Sequence, residues 1–232
     1  MTAGPLDLLA RGAVTVKGRL PDSSNATLLV ELELDGATGL AVYKPQRGER
    51  PLWDFPRGLY RREIAAYLLS EALGWGIVPP TIARDGPHGE GSLQHFVMAD
   101  FSQHYFTLVE VPAHRPTLQR ICVFDVIANN ADRKSGHCLL GPDGAIYGID
   151  QGLCFHVDPK LRTVMWDWAG EPIPKDLVAD LAALVRRGVP KRLARLLSGE
   201  EQDVLLARAR ALVDEPRFPA SPGGRSYPWP LV

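Results

Sequence analysis

Two aspartates in the second half of the chain stand where packing explains them poorly. Asp132 lies in the polar stretch Asn129-Asn-Ala-Asp-Arg133 after a predicted buried helix, and Asp150 directly follows an apolar strand, with Gly152 two residues on. Carboxylates held at the ends of a helix and a strand can act as a base and as a ligand for Mg²⁺. Either aspartate alone is better explained as a turn residue. Together, on the two sides of a short predicted hairpin, they indicate a functional site.

A lysine and a glutamate in the first half of the chain could serve the phosphates of a nucleotide. Lys44 ends a predicted strand, and Glu63 lies inside the helix that follows. In kinases, a strand lysine paired with a helix glutamate positions the nucleotide phosphates. Taken singly, each residue is explained as a solvated charge. The pair indicates a nucleotide site only in combination with the order of the surrounding elements. We predict that Lys44 and Glu63 form an ion pair in a cleft.

The order of the predicted elements is that of a protein kinase. Alternating or apolar β-formers predict strands, and apolar residues at helical spacing predict helices. The predicted strands span residues 14–20, 28–34, 39–44, 81–84, 92–98, 138–140 and 145–149. The predicted helices span residues 59–73, 116–128, 176–187 and 191–197, and a last helix runs from a capping-box pattern at 198–201 to about residue 213. This order predicts an α+β, two-lobed protein-kinase-like fold, with a small β-rich N-lobe and a mainly helical C-lobe.

The predicted lobes divide the chain into three parts. We expect the N-lobe to span residues 1–98 and the C-lobe residues 99–214, with a nucleotide bound between them. Residues 215–232 are rich in Pro and Gly and predict a tail that is either an ordered coil or a loose end.

Several short segments resemble the phosphatidylinositol 3-/4-kinase-related atypical kinases, and within that group the type II phosphatidylinositol 4-kinase pattern and a bacterial branch of it. The resemblance covers residues 14 to 168 and depends most on the Asn-x-Asp-Arg and Asp-x-Gly-Leu-x-Phe pieces. The matching segments are Ser23-Ser-Asn-Ala-Thr27, Val42-Tyr-Lys-Pro45, Arg62-Glu-Ile-Ala-Ala-Tyr67, Val78-Pro-Pro80, Ser92-Leu-Gln-His-Phe-Val97, Phe124-Asp-Val-Ile-Ala-Asn-Asn-Ala-Asp-Arg133 and Ile149-Asp-Gln-Gly-Leu-Cys-Phe155.

The resemblance implies an ATP-dependent kinase that uses Mg²⁺ or Mn²⁺. By that resemblance, Lys44 contacts the α- and β-phosphates and Glu63 orients it. Asp132 and the neighbouring Arg133 form the catalytic pair, in which the aspartate positions or deprotonates an acceptor hydroxyl, and Asp150 binds the metal ion. Two carboxylates in one cleft repel each other, so we expect at least one of the two aspartates to have a raised pKa.

Two further segments have implied roles in nucleotide binding. Phe96, Val97 and Met98 would form the hinge between the lobes, and their main chain would contact adenine. The loop that covers the phosphates is not glycine-rich here, and its hydroxyl, amide and backbone donors come from Ser23, Ser24 and Asn25.

One position departs from the family pattern. Five residues after the catalytic aspartate the family has an asparagine as its second metal ligand, and this chain has His137. Imidazole suits softer metals than Mg²⁺. This departure, together with the short C-lobe, leaves a pseudokinase or nucleotide-binding scaffold as an alternative. A protein Ser/Thr kinase resembling the HipA toxins is a third possibility, because those proteins share the Asn-x-Asp-Arg loop. The acceptor hydroxyl could belong to a small molecule, a lipid headgroup or a protein.

Composition excludes several other classes. The chain has 232 residues, of which 45% are hydrophobic and 23% charged, as is typical of globular proteins. Its 26 basic and 27 acidic residues leave a net charge of -1, so no electrostatic argument favours nucleic acid or an anionic membrane as a partner. No apolar run approaches the ~20 residues that cross a bilayer, and the first residues lack the basic region of a signal peptide. We therefore expect a cytoplasmic protein without a membrane span.

Three cysteines are too few for a disulfide framework and fit a reducing compartment. The pairs His137-Cys138 and Cys154-x-His156 could be read as a zinc site, but their spacing is unconventional for one. Free cysteine is among the most buried residue types. We predict that all three thiols, which include Cys122, are reduced and bind no metal.

Overall fold

The computed structural model describes residues 4–21 and 25–231. Two of the residues predicted to cover the phosphates, Ser23 and Ser24, lie outside this part of the chain. The described residues form a sheet-containing lobe and a mainly helical lobe, as the sequence predicts. The boundaries of these lobes at residues 98 and 214 stay a prediction.

The first lobe contains a five-stranded antiparallel sheet with the strand order β1-β2-β3-β5-β4. Its elements are α1 (Pro5–Arg11), β1 (Ala13–Arg19), β2 (Leu28–Leu34), β3 (Ala37–Pro45), α2 (Leu59–Leu73), β4 (Thr81–Gly86) and β5 (Gly89–His95). Asp35 and Gly36 connect β2 to β3 with positive φ angles of 51° and 81°. An Asp-Gly pair favours such a tight hairpin because glycine and, less readily, aspartate adopt the left-handed region.

Alternation along β3 decides which side of the sheet holds the functional lysine. Ala41 and Tyr43 are buried in a cluster that also contains Leu9 of α1. Because successive side chains of a strand point to opposite faces, Lys44 points away from α1. Helix α2 contacts β4 and β5 and is buried around most of its circumference. It ends at Gly74, which has a φ of 70° and whose N–H caps the carbonyls of Ser70 and Glu71.

The second lobe is built around a buried helix. Its elements are α3 (Tyr105–Leu108), α4 (Arg115–Ala128), β6 (Cys138–Leu140), β7 (Ile146–Gly148), α5 (Lys175–Arg187), α6 (Lys191–Ala194) and α7 (Gly199–Asp214). Leu118, Ile121 and Phe124 of α4 are fully buried in the largest apolar cluster of the described chain. Strands β6 and β7 pair as the predicted hairpin, and the predicted capping box at Ser198 opens α7.

The structure corrects three details of the predicted elements. The strand predicted to reach residue 98 ends at His95, so the predicted hinge residues follow the strand rather than belong to it. The helix predicted over residues 191–197 ends at Ala194. Helices α1 and α3 were not expected, because each is too short to show a helical period in the sequence.

The tail after α7 is an ordered coil rather than a loose end. Its main chain is hydrogen-bonded along the segment of residues 163–173, and Phe218 is buried. Near its end, the carbonyl of Leu231 accepts the N–H of Ser135, three residues after Asp132. The tail therefore supports the loop that carries the predicted catalytic aspartate.

Two further features bear on the expected environment. No helix among the described residues is long and apolar enough to cross a membrane. The three cysteines are free and buried, and burial raises the pKa of each thiol. Whether they bind metal stays a prediction.

Candidate active site

A cavity of about 410 Å³ lies between the two lobes. Six residues singled out from the sequence line it, and these are Asn25, Lys44, Glu63, Asp132, His137 and Asp150. Another cavity, of about 520 Å³, is lined by residues of α2, α5 and α6, and none of the predicted site residues lines it. The interlobe cavity, in which titratable groups from both lobes converge, is therefore the candidate active site.

Lys44 joins the two lobes through its ammonium group. Its Nζ donates to Glu63 Oε1, and it also lies 2.8 Å from Asp150 Oδ1. The predicted ion pair between Lys44 and Glu63 is therefore confirmed. Burial alone would lower the pKa of Lys44, but the two carboxylates outweigh it and raise that pKa above its usual value. Lys44 in turn holds the pKa of Asp150 well below its ordinary range.

The backbone around Asp150 is held from two sides. Asp150 has a φ of 59°, in the left-handed region that residues other than glycine rarely adopt. The N–H of Gln151 donates to Glu63 Oε2 at 2.9 Å, and Arg133 Nη1 donates to the carbonyl of Ile149 at 2.8 Å. A strained backbone persists where its surroundings determine it in this way. The carboxylate of Asp150 thus lies half exposed in the cavity, with 49% of its side chain accessible.

Asp132 lines the same cavity as Lys44 and Asp150. Its N–H donates to Asn130 Oδ1 at 3.0 Å, and its Oδ2 lies 3.7 Å from Lys134 Nζ. The pKa of Asp132 is raised to about 6, chiefly by burial and further by Asp150, while Lys134 and Arg162 oppose the rise. A raised pKa for one of the two aspartates was expected. The expected cause was repulsion between the carboxylates, but desolvation is the larger contribution.

The raised pKa leads to a prediction for the metal-free protein. The folded-state pKa of Asp132 lies above the ordinary value of 3.8. At low pH the carboxyl is therefore neutral in both the folded and the unfolded chain. As the pH rises through about 6, the buried carboxyl has to ionise in the folded chain, and the free energy of unfolding falls. Replacement Asp132→Asn is expected to raise the melting temperature near pH 7.5 and to leave it unchanged below pH 4. Thermal unfolding at both pH values checks this, and an equal gain at both would contradict it.

Arg133 does not reach the cavity. Its guanidinium is fully buried, with Nε and Nη2 at 2.7 Å and 2.9 Å from the carboxylate oxygens of Asp125 on α4. The remaining nitrogen, Nη1, donates to the carbonyls of His137 and Ile149 at 3.1 Å and 2.8 Å. A side chain enclosed in this way cannot touch a substrate. The expected direct catalytic role of Arg133 is therefore corrected to that of a positioning residue, which ties α4 to the loops carrying Asp132 and Asp150.

His137 presents a ring nitrogen to Asp150. Its Nδ1 lies 2.9 Å from the carbonyl oxygen of Asp132, and its Nε2 lies 3.4 Å from Asp150 Oδ2. Burial lowers the pKa of His137 to about 4, so the ring is neutral at pH 7. The carbonyl of Asp132 can only accept, which favours a proton on Nδ1, whereas the N–H of Lys134 lies 3.4 Å from the same nitrogen and would donate to it in the other tautomer. With the proton on Nδ1, Nε2 and the Asp150 carboxylate are both acceptors, and a bound cation would satisfy both.

The donor set therefore fits a divalent cation, with one carboxylate and one neutral imidazole as ligands. Among the described residues, no group of three or more His, Cys, Asp and Glu side chains is arranged to hold a metal ion. Mg²⁺ commonly takes one or two carboxylates and completes its shell with substrate phosphates and water. Asp150 is thus a residue that could hold Mg²⁺ or Mn²⁺ jointly with a nucleotide, and His137 could add a further ligand, although imidazole suits softer metals.

The predicted hinge lies apart from this cavity. Phe96, Val97 and Met98 line a separate cavity of about 380 Å³, beside Leu40 at the other end of β3. The N–H of Phe96 donates to the carbonyl of Leu40 at 3.0 Å, and the carbonyl of Val97 accepts from Ala99 at 2.8 Å. The main chain of Met98 makes no backbone hydrogen bond within the described residues, so its polar groups are available to a ligand.

Other residues at the site were missed from the sequence. Lys134 and Arg50 both line the interlobe cavity. The position of Lys134, two residues after Asp132 in a polar loop, was a usable signal. Asp125 was missed as the partner of Arg133, although a lone carboxylate on the buried side of an apolar helix signals a buried partner.

Comparisons with known proteins give a family and a fold. No protein-family model matches the chain. Protein Rv2133c of Mycobacterium tuberculosis is 44% identical over an alignment that covers 96% of this chain and 94% of that protein. Phosphatidylinositol 4-kinase gamma 4 of Oryza sativa subsp. japonica is 28% identical over an alignment that covers 64% of this chain. The chain spans only 33% of that rice protein. The narrower resemblance to a type II, bacterial branch stays a prediction.

Two solved structures share the architecture. Fam20 of hydra, solved with a sugar, superposes with a TM-score of 0.58 at 14% identity, covering 90% of this chain and 86% of that one. The Helicobacter pylori proinflammatory kinase CtkA gives a TM-score of 0.50 at 12% identity, with 90% and 94% covered. Likeness at this identity establishes the fold, so the predicted α+β, two-lobed kinase-like fold is confirmed. The chain belongs to the family of the mycobacterial protein Rv2133c, and it has the two-lobed architecture of kinases.

Proposed function

We propose that this protein is an ATP-dependent phosphotransferase that moves the γ-phosphoryl group of ATP to a hydroxyl acceptor. The observation that carries the proposal is the convergence of Lys44, Glu63, Asp132 and Asp150 on one interlobe cavity. The lysine–glutamate pair and two aspartates are the groups that phosphoryl transfer requires for positioning and charge neutralisation. The kinase-like fold supports the same reading.

Nucleotide binding would use both ends of β3. Met98 offers main-chain groups to adenine at one end, and Lys44 offers its ammonium to the phosphates at the other. Glu63 keeps that ammonium in place, since its second oxygen is itself fixed by the N–H of Gln151. Asp150 and His137 would hold a divalent cation, which when bound neutralises charge on the phosphates.

The acceptor hydroxyl would meet Asp132. A carboxylate with a pKa near 6 is ionised at neutral pH and is basic enough to orient a hydroxyl and take its proton. Lys134, whose ammonium lies 3.7 Å from this carboxylate, would face the phosphoryl group as it moves. Arg133 holds the backbone on both sides of the site, so that the two aspartates keep their separation.

The proposal leaves three classes of acceptor and includes a second candidate function. We propose a hydroxyl-bearing small molecule, lipid headgroup or protein as the acceptor, and a HipA-like Ser/Thr kinase would be the protein case. A pseudokinase or nucleotide-binding scaffold is the second candidate. His137 favours it, because the imidazole stands where the resembled family has asparagine as a metal ligand.

Thermal unfolding with nucleotide and metal tests the proposal. ATP with Mg²⁺ or Mn²⁺ at ~100 times the dissociation constant is expected to stabilise the fold by about 2.7 kcal/mol, which corresponds to roughly 5–10 °C for a chain of this size. The shift is expected to be smaller in EDTA. Asp150→Ala is expected to remove the metal dependence, whereas the matched control Asp158→Ala, outside the cavity and 74% exposed, is expected to keep it.

The outcomes separate the candidates. No melting shift with any nucleotide and metal would contradict the kinase proposal and the scaffold alike. A shift without transfer to any acceptor, or to water, would favour the scaffold. Transfer of radiolabelled phosphate to one member of a panel of lipids, inositols, sugars and proteins would establish the enzyme and its acceptor class.

A further inference from the structure

The connection between β3 and α2, residues 46–58, forms part of the wall of the interlobe cavity. It starts with a 3₁₀ turn at Gln46–Gly48, and this turn is bound to the end of the β1–β2 loop. The N–H of Ala26 donates to the carbonyl of Gly48 at 3.0 Å, and the N–H of Arg50 donates to Asn25 Oδ1 at 2.9 Å. A Cβ at Gly48 would lie 2.5 Å from Ala26 Cβ, so only glycine permits this contact. The two loops therefore hold the main chain of Arg50 in a defined place.

Arg50 is a cation in the cavity wall whose side chain has no partner among the described residues. Its guanidinium has no hydrogen bond or ion pair within residues 4–21 and 25–231. The neighbouring Glu49 does not serve it, because the Glu49 carboxylate accepts from the N–H groups of Gly58 and Tyr60. Glu63 is likewise occupied by Lys44 and Gln151. The positive charge of Arg50 thus remains available to a ligand of the cavity.

The direction of β3 indicates which part of a nucleotide Arg50 would meet. The hinge residue Phe96 is bonded to Leu40 near the start of the strand, and Lys44 lies four residues further along. At ~3.3 Å per residue this is about 13 Å, comparable with the reach from a base to its inner phosphates. Arg50 follows the end of the strand at Pro45, on the far side of Lys44 from the hinge, and it shares the cavity with Lys134.

We infer that Arg50 binds the terminal phosphate of the nucleotide and makes the site select a nucleoside triphosphate over a diphosphate. The inference rests on the proposed function, since it assumes that the cavity takes the phosphates. An arginine fork binds phosphate oxygens in a bidentate manner that lysine cannot reproduce. Arg50 thereby supplies from the β3–α2 connection the phosphate contacts that a glycine-rich loop supplies with its backbone amides.

Titration calorimetry with ATP and ADP in the presence of Mg²⁺ tests the inference. Arg50→Ala is expected to weaken ATP binding about tenfold or more, because one charge-assisted contact is lost, and to change ADP binding by less than about twofold. Arg50→Lys is expected to recover only part of the loss. Arg47→Ala is the matched control, because Arg47 lies in the adjacent 3₁₀ turn of the same connection but does not line the cavity, and both affinities are expected to stay unchanged.

The outcomes distinguish this inference from the proposed function. If the wild type binds ATP and Arg50→Ala weakens ATP and ADP equally, or neither, the assignment to the terminal phosphate is wrong while the proposed function stands. If the wild type binds no nucleotide, the proposed function fails and the assignment with it. Melting temperatures without nucleotide verify that each variant is folded, and Arg50→Lys provides the comparison if Arg50→Ala is unstable.

Discussion

Replacement of Asp132 by asparagine is expected to lower the rate of phosphoryl transfer by about 10²–10⁴-fold, because the amide cannot accept the proton of the acceptor hydroxyl. ATP binding is expected to persist, since Lys44 keeps its contacts with Glu63 and with Asp150 in this variant. The backbone hydrogen bond from residue 132 to Asn130 does not depend on the carboxylate. The measurement is the transfer rate at saturating ATP together with the melting shift induced by ATP.

Two comparisons make this result specific to the proposed role. Asp158→Asn changes an exposed aspartate outside the cavity and is expected to leave the transfer rate unchanged. A transfer rate for Asp132→Asn within about twofold of the wild type would show that another group serves the acceptor. Loss of the ATP-induced shift would show that Asp132 serves the nucleotide instead.

The largest stability effect is expected at the buried pair of Asp125 and Arg133. Replacement Asp125→Ala leaves the guanidinium of Arg133 without its carboxylate at a fully buried position. Breaking such a pair by removing one partner costs about 3–5 kcal/mol, because a buried charge is left uncompensated. The free energy of unfolding is expected to fall by that amount, and the melting temperature by roughly 6–20 °C. Denaturant titration and thermal unfolding measure the two quantities.

An exposed ion pair provides the control for this prediction. Glu171→Ala removes one partner of the pair between Arg115 and Glu171, whose side chains are 50% and 44% exposed, and is expected to cost no more than about 1 kcal/mol. The double variant Asp125→Ala with Arg133→Met is expected to be more stable than Asp125→Ala alone, since the unpaired charge is gone. A cost for Asp125→Ala as small as that for Glu171→Ala would contradict the positioning role of Arg133.

Local patterns identify most helices and strands of this chain. The bounds of α2 agree with those expected from the apolar spacing and from the glycines that follow the helix, because helical period and capping are properties of neighbouring residues. The end of β5 is different. Residues 96–98 are apolar, but the paired part of the strand ends at His95 opposite Ala41, and beyond it only the N–H of Phe96 still bonds to β3, at Leu40. The length of a strand depends on its partner, which lies far away in the sequence.

The types of residue at the candidate site and the order of the elements that carry them follow from local patterns along the chain. That order was enough to predict the pairing of Lys44 with Glu63, since a strand end and the next helix are neighbours in the chain. The contact of Lys44 with Asp150, 106 residues away, and the burial of Arg133 against Asp125 become visible only in the folded chain. Burial and distance arise when remote segments come together, so residue order reveals neither the desolvation of Asp132 nor that the Arg50 side chain has no partner in the part of the chain that the structure describes.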